Sequence, residues 1–401
     1  MKKSIIFVDD EPNIIQGLKR MLRSERDKWE MFFVFSGKEA LEILSNNHID
    51  IIVTDMRMPE MDGAELLGQV AGHYPNTVRI VLSGHSDREM ILRSAKFAHQ
   101  FISKPCDANM LKYALDRACL LQDLVRDVEL RRFINGIVNL PSLPDKFAML
   151  LGEIQAPDTS LKKIGDIIAQ DVTMTARVLQ MVNSAFFGLP KKVTNPQQAV
   201  TLLGINTLKG LVLYVNIFSA IEPPADAVFS MESLWQHSIM VGNIAKGIIY
   251  SELDDQKLAD EAFIIGMLHD IGKLLLGQAP NYHQGIKKLL NDKGTNFVDA
   301  EYGLMGISHS EVGAYLLGLW GFSNSVVKSV AYHHTPVKSM NVEFTPLTAV
   351  HVANALELQE DCIDLPYLES LNLTNKIAIW TECCNKIKRK FLHEQYGTVG
   401  R

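Results

Sequence analysis

Cysteine is scarce in this chain: five in 401 residues, at positions 106, 119, 362, 383 and 384. The count is odd and no CxxC pair occurs, which excludes a disulfide framework or a cysteine-based zinc site and points to reduced thiols in a cytoplasmic protein. Long apolar runs are missing as well. No uncharged stretch exceeds 16 residues, the length of Val312–Val327, and that one contains Ser323, Asn324 and Ser325. It is too short and too polar to span a bilayer, so no membrane partner is expected. The opening MKKSIIFVDDEP turns acidic after a short apolar run and does not read as a secretory signal. Basic charge is not in excess: 40 Lys and Arg against 46 Asp and Glu leave a formal charge of −6. That, with no helix-turn-helix pattern and no basic face, speaks against DNA as a partner. Residues 137–221 also lack a Gly-rich phosphate loop. What remains is an ordinary soluble composition, 47% hydrophobic, with enough chain for about two or three domains.

Short runs rich in Val, Ile and Phe lie at 4–8, 31–35, 50–54, 78–82 and 99–102, and read as buried strands. Helical patterns fall between them, near 12–24, 37–46, 62–71 and 86–96, and a fifth helix begins at Asp107. This alternation predicts a doubly wound parallel sheet, a (βα)5 α/β domain. Polar residues sit at the strand ends: Asp9 and Asp10, Asp55, Ser83, and Lys104 before Pro105. Such a sheet binds ligands at the carboxyl ends of its strands, so these residues should converge. Crowded carboxylates suit Mg²⁺, a carboxylate beside that ion can accept a phosphoryl group, and Lys104 and Ser83 can meet phosphoryl oxygens.

VDDEP, the TDMRMPEMDG run around Asp55, LSG at 82–84 and SKP at 103–105 resemble the receiver domain of bacterial response regulators over the whole 1–120 stretch. The resemblance implies Asp55 as phosphoacceptor for a sensor histidine kinase. It also implies Asp9 and Asp10 as Mg²⁺ carboxylates with Asp55, and the Arg57 backbone carbonyl as a further ligand. Ser83 and Phe101 would be the switch residues, with Lys104.

From Leu111 the fifth helix runs on. Leu111, Ala114, Ala118, Leu121, Val125 and Val128 form a heptad-like seam. It fits a dimeric signalling helix, 121–136, that couples two domains. It fits equally one helix packing on its own sheet and then on the next domain. Arg126, Arg131 and Arg132 read as a solvated face. In the next block LPSLPDKF, IIAQDVTMTARVLQMVNSAFFG and AVTLLGINTLKGLVL resemble the opening of an HDOD domain, an all-helical fold, assigned here to 137–360. Asn183 and Ser184 are read as capping or bracing residues.

Histidine is uneven: four of twelve lie before residue 237 and eight from there on. His237, the His269-Asp270 pair, His309 and the His333-His334 pair each sit on a predicted helix, and AFIIGMLHDIGKLLL reads as one continuous helix. Imidazoles and a carboxylate on facing helices can close around metal ions, and an Asp beside a His can bridge two. The order resembles the HD superfamily of metal-dependent phosphohydrolases, which implies an Fe, Mn or Zn site and action on a cyclic dinucleotide or nucleotide. Lys273 matches the residue that lies near phosphate in those enzymes. Two departures count against turnover. Asn354 aligns with the last metal aspartate, and HHTPVKSMNVEF lacks the GYP motif of the cyclic-dinucleotide branch. His283 and His393 are read as bystanders, His351 lies on the same helix as Asn354, and 361–401 as a helical tail.

The chain thus reads as a response regulator. Its HDOD domain would serve as a non-catalytic interaction output, binding a protein partner or a second copy of the chain. The rival reading is a phospho-gated metal phosphohydrolase.

Overall fold

The computed structural model describes residues 2–83, 97–104, 107–124, 160–169, 175, 178–179, 193–202, 204, 224, 227–291, 295–319, 322–359 and 362–396. The chain divides into two compact units, one of residues 1–160 with 315–322 and one of 161–314 with 323–401.

The first unit is built on five parallel strands, β1 (Lys3–Val8), β2 (Trp29–Val34), β3 (Ile51–Asp55), β4 (Val78–Ser83) and β5 (Gln100–Ser103), in the order β2-β1-β3-β4-β5. Helices α1 (Pro12–Met21), α2 (Gly37–Asn46), α3 (Gly63–His73) and α4 (Ala108–Leu124) accompany them. Strands covered on both faces must be apolar on both, and Ile5, Ile6, Phe7, Ile51, Ile52 and Ile80 are fully buried. Register places Val8 opposite Thr54 and Asp55 opposite Leu82. The strand order reverses between β1 and β3, which opens a crevice at their carboxyl ends. Ser36 and Asp62 cap α2 and α3 by accepting from the backbone of Glu39 and Glu65. The loop from Asp55 to α3 returns so tightly that a Cβ on Gly63 would lie 2.2 Å from the Asp55 carbonyl oxygen, so the chain needs glycine there.

β2 starts two residues earlier than the apolar run suggests, and Phe35, read as its end, is exposed. The predicted helix at 86–96 lies outside the described residues. α4 packs against β3, and Leu111, Ala114 and Ala118 are buried, the first half of the seam. Val125, Val128, Arg126, Arg131 and Arg132 lie outside the described residues, as does the side chain of Leu121.

The second unit is helical. It contains α5 (Leu161–Ala169), α6 (Met231–Leu253), α7 (Gln256–Leu268), α8 (Ile271–Leu276), α9 (Tyr282–Leu290), α10 (Phe297–Met305), α11 (starting at His309), α12 (Asn324–Tyr332), α13 (Pro346–Leu358), α14 (Leu365–Ser370) and α15 (Ile377–Tyr396). Its centre is the packing of α6 with α7 and α13, on which α12 and α15 close. Ile244, Ile248, Ile265, Met267, Val350 and Ala353 on these helices are fully buried. Asn183 and Ser184 lie outside the described residues, and so does the side chain of His393. Among the described residues no helix is long and apolar enough to cross a membrane.

The expected continuous helix over AFIIGMLHDIGKLLL is not formed. α7 ends at Leu268 and α8 starts at Ile271, leaving His269 and Asp270 at the break. The start of α11 lies close against α8: a Cβ on Gly272 would lie 1.9 Å from the His309 carbonyl oxygen, so the chain needs glycine there.

Candidate functional site

In the first unit Asp9 leaves β1, Asp55 ends β3 and Lys104 follows β5. Lys104 Nζ donates to Asp9 Oδ2 at 2.7 Å and to Asp55 Oδ1. The Glu11 amide donates to the other Asp9 oxygen (3.0 Å), and the Arg57 amide to Asp55 Oδ2 (2.9 Å). Burial raises the Asp9 pKa, against the opposing effect of Lys104. Burial also works against the charge on Lys104, but its bonds to Asp55 and Asp9 outweigh it and raise its pKa. One ammonium therefore offsets two buried carboxylates, and the remaining hard-oxygen surplus, with the half-exposed Asp10 beside it, fits Mg²⁺. Ser83 and Phe101 lie on β4 and β5 as expected. Their side chains lie outside the described residues.

Among the described residues, two groups of histidine and carboxylate donors gather within 4.8 Å: Asp270 with His309, His333 and His334, and Asp270 with His237 and His269. All six residues singled out in the sequence are there, and Asp270 belongs to both groups. α6 brings His237, the α7–α8 break His269 and Asp270, α11 His309, and the end of α12 His333 and His334.

The outer nitrogens are held. His269 Nδ1 donates to the Gly266 carbonyl (2.6 Å) and His333 Nδ1 to that of Val330 (2.7 Å). His309 Nδ1 meets Glu301 at 2.6 Å and His237 Nδ1 meets Glu357 at 2.5 Å. A neutral imidazole with its Nδ1 proton so engaged turns an Nε2 lone pair inward. The inner nitrogens then face one another: His237 and His269 Nε2 at 3.2 Å, His309 and His334 Nε2 at 3.1 Å. His333 Nε2 is buried without a hydrogen-bond partner, and Asp270 Oδ1 has only His309 Nε2 beside it, at 3.1 Å. Converging ring nitrogens around a buried carboxylate are what a divalent transition ion satisfies, so these residues fit one.

Two supporting carboxylates escaped the sequence reading. Glu301, fully buried on α10, accepts from Tyr282 Oη (2.6 Å) and from both the backbone (2.8 Å) and the ring of His309. Glu357 lies on α13, one turn beyond Asn354. Lys388 of α15 donates to the carbonyls of Leu356 and Glu357 (3.0 and 2.9 Å) and fixes that helix end. Asn354 itself is buried with an unpartnered Oδ1. His351 is a satisfied core histidine: Nδ1 donates to the His333 carbonyl and Nε2 accepts from the Asp364 amide, both at 2.8 Å.

Charge in the cluster is set by burial and neighbours. Burial opposes ionisation of Asp270, but His269, Lys273 and His309 outweigh it and hold its carboxyl well below the usual range. Burial drives His269 down to about 4, opposed by Asp270 and reinforced by His237 and Lys273. Burial and neighbouring histidines likewise hold His333 and His334 well below the ordinary value. His309 goes the other way: burial is outweighed by Glu301 and Asp270, and its pKa is raised.

A pH dependence follows. Unfolded, these imidazoles take up protons near pH 6.5, so below that pH the unfolded chain binds more protons than the fold does at His269, His333 and His334. Their contribution to stability falls as pH drops from 6.5 towards 4. His309 contributes in the opposite sense, stabilising below 6.5 and losing that as pH rises, but it is one against three. The metal-free protein should be less stable at pH 5 than at pH 7.5, by about 2 kcal/mol from His269 alone. Urea midpoints at the two pH values measure it; equal midpoints would contradict it.

Residues 5–116 match the response regulator receiver domain and residues 140–336 the HDOD domain. An uncharacterized protein of Treponema pallidum is 27% identical over 201 residues, 49% of this chain and 38% of that protein. The response regulator GtcR of Aneurinibacillus migulanus is 33% identical over 105 residues, 26% of this chain and 43% of that protein. The chain thus spans less than half the length of these curated relatives. Among solved structures, a putative phosphohydrolase from Shewanella amazonensis is 24% identical, with 65% of this chain and 97% of that one covered and a TM-score of 0.48. The chain thus carries a response regulator receiver domain at 5–116 and an HDOD domain at 140–336.

Proposed function

We propose that a sensor histidine kinase phosphorylates Asp55 and that the HDOD domain answers by protein contacts, not by turnover. The observation that carries the first half is the Lys104 ammonium joining Asp9 and Asp55 at the strand ends. An Asp55 oxygen attacks the phosphorus of the donor, the donor's P–O or P–N bond breaks, and an acyl phosphate forms. Lys104 is placed to pair with the incoming phosphoryl oxygens and to leave Asp55 as it does so. Asp9 and Asp10, with Asp55 and the Arg57 carbonyl, would hold Mg²⁺, which offsets the charge of the phosphoryl group. The new charge would reorder Ser83 and Phe101 and the surface beyond them. The answering partner would be another protein or a second copy of the chain, in the cytoplasm.

The histidine cluster supports a metal ion, Fe, Mn or Zn, in the output domain. Two features weigh against hydrolysis: the neutral Asn354 in place of a carboxylate, and a chain with no GYP motif after His334. Hydrolysis of a cyclic dinucleotide or nucleotide stays the second reading because the histidines and Asp270 form donor groups that fit a metal ion. Elemental analysis of anaerobically purified protein, followed by a cyclic-dinucleotide turnover assay, separates the two. Bound metal without turnover is the expected result. Less than about 0.2 equivalents would remove the metal. Turnover abolished by His269→Ala would put the enzyme in place of the interaction output.

A further inference from the structure

Residues 315–322, the end of α11 and the turn after it, belong to the first unit. α11 closes at Leu319, so the carbonyls of its last turn have no partners within the helix. The chain then folds back, with the Phe322 amide donating to the Leu317 carbonyl (3.0 Å). Two buried side chains, one from β5 and one from α4, meet this end. Gln100, the first residue of β5, donates through Nε2 to the Gly318 carbonyl (3.2 Å). Arg117 of α4 donates through Nη1 to the Phe322 carbonyl (3.0 Å) and through Nη2 to Gln100 Oε1 (2.8 Å), which ties the two side chains together. A cation placed at the carbonyl end of a helix is also favoured by the helix dipole.

β5 is four residues long. Gln100 opens it, and Lys104, which follows its last residue, holds Asp9 and Asp55. The socket for α11 and the phosphoacceptor site therefore lie at opposite ends of one strand, roughly 13 Å apart along it. At 3.2 Å the Gln100 bond to Gly318 is near the long end of the range, so a small shift of the strand breaks it. We propose that Gln100 and Arg117 form a latch that holds the end of α11 while Asp55 carries no phosphoryl group. Phosphorylation draws Lys104 onto the phosphoryl oxygens, moves β5 and opens the latch. This rests on the phosphotransfer reading of Asp55. The partner of this face of the receiver is the chain's own segment 315–322, and the end of α11 is what the receiver gives up.

The test is hydrogen–deuterium exchange of the full chain, read by mass spectrometry on peptides covering Tyr315–Phe322. Arg117→Met and Gln100→Leu should each speed exchange there by about tenfold, since each leaves a buried carbonyl without its donor. Peptides of β1 and β3 should exchange as before, which shows that the receiver is folded. Acetyl phosphate with Mg²⁺ should speed exchange of the same segment in the wild type and leave it unaltered in Asp55→Asn; intact mass shows which chains carry a phosphoryl group. Wild-type exchange rates in both folded variants would overturn the latch. A phosphorylated wild type whose segment exchanges no faster would overturn its opening from Asp55 while leaving the phosphotransfer reading intact. A wild type that gains no phosphoryl group would overturn both.

Discussion

Asp55→Asn protein gains no phosphoryl group from acetyl phosphate and Mg²⁺, while the wild type gains one per chain. This is an all-or-none effect, because the side-chain oxygen of an amide is no nucleophile at neutral pH. The substitution is nearly isosteric at a position where Asp55 is buried at the end of β3. It leaves the Arg57 amide an acceptor and removes only the charge facing Lys104. The fold should therefore survive, and an unchanged far-ultraviolet spectrum would show that it has. Intact-mass spectrometry reads the result directly. Labelling that persists in Asp55→Asn would move the acceptor elsewhere and remove the basis for the phosphotransfer assigned to β3.

The second large effect belongs to Asp270→Asn. Asp270 is the one residue common to both donor groups, and its two oxygens serve different sets of histidines. Substitutions in the outer support of metal sites commonly cost 10–100-fold in affinity, so loss of the shared carboxylate should cost on the order of 100-fold or more. It also strands Lys273, whose ammonium donates to Asp270. Breaking such a buried pair from one side costs roughly 3–5 kcal/mol, discounted here because Lys273 is partly exposed. Metal content after dialysis and the urea midpoint of the metal-free protein are the two readings. Undiminished zinc in Asp270→Asn would exclude a site centred on this residue.

The receiver fold was legible because its physics is one-dimensional. A strand covered on both faces must be apolar at every position, so each buried strand shows as a run, and the charged residue that follows marks its end. The reading slipped where that rule weakens. β2 includes Glu30, whose exposed carboxylate interrupts the run and hides Trp29, and Phe35 continues the run into solvent. In the helical unit the six cluster residues were legible because histidine pairs and a His-Asp pair are rare on helices. Glu301 and Glu357 were not. Carboxylates are common on exposed helix faces, and only tertiary packing separates these two from the rest. Glu301 reaches His309 because the chain reverses at Gly306, whose φ of 71° ends α10. The α7–α8 break was invisible for a related reason. The apolar pattern through His269 and Asp270 is unbroken, while the chain itself breaks there between Leu268 and Ile271.

The burial of the cluster is lopsided. His269, His309 and His333 have no solvent exposure and Asp270 1%, whereas His237 and Glu357 stand at 12% and 22% at one edge. An ion seated among Asp270, His309 and His333 would meet solvent past the partly exposed His334 on one side and the His237–Glu357 edge on the other. Its exchange would then be paced by movement at those two edges, while the sealed side stays shut.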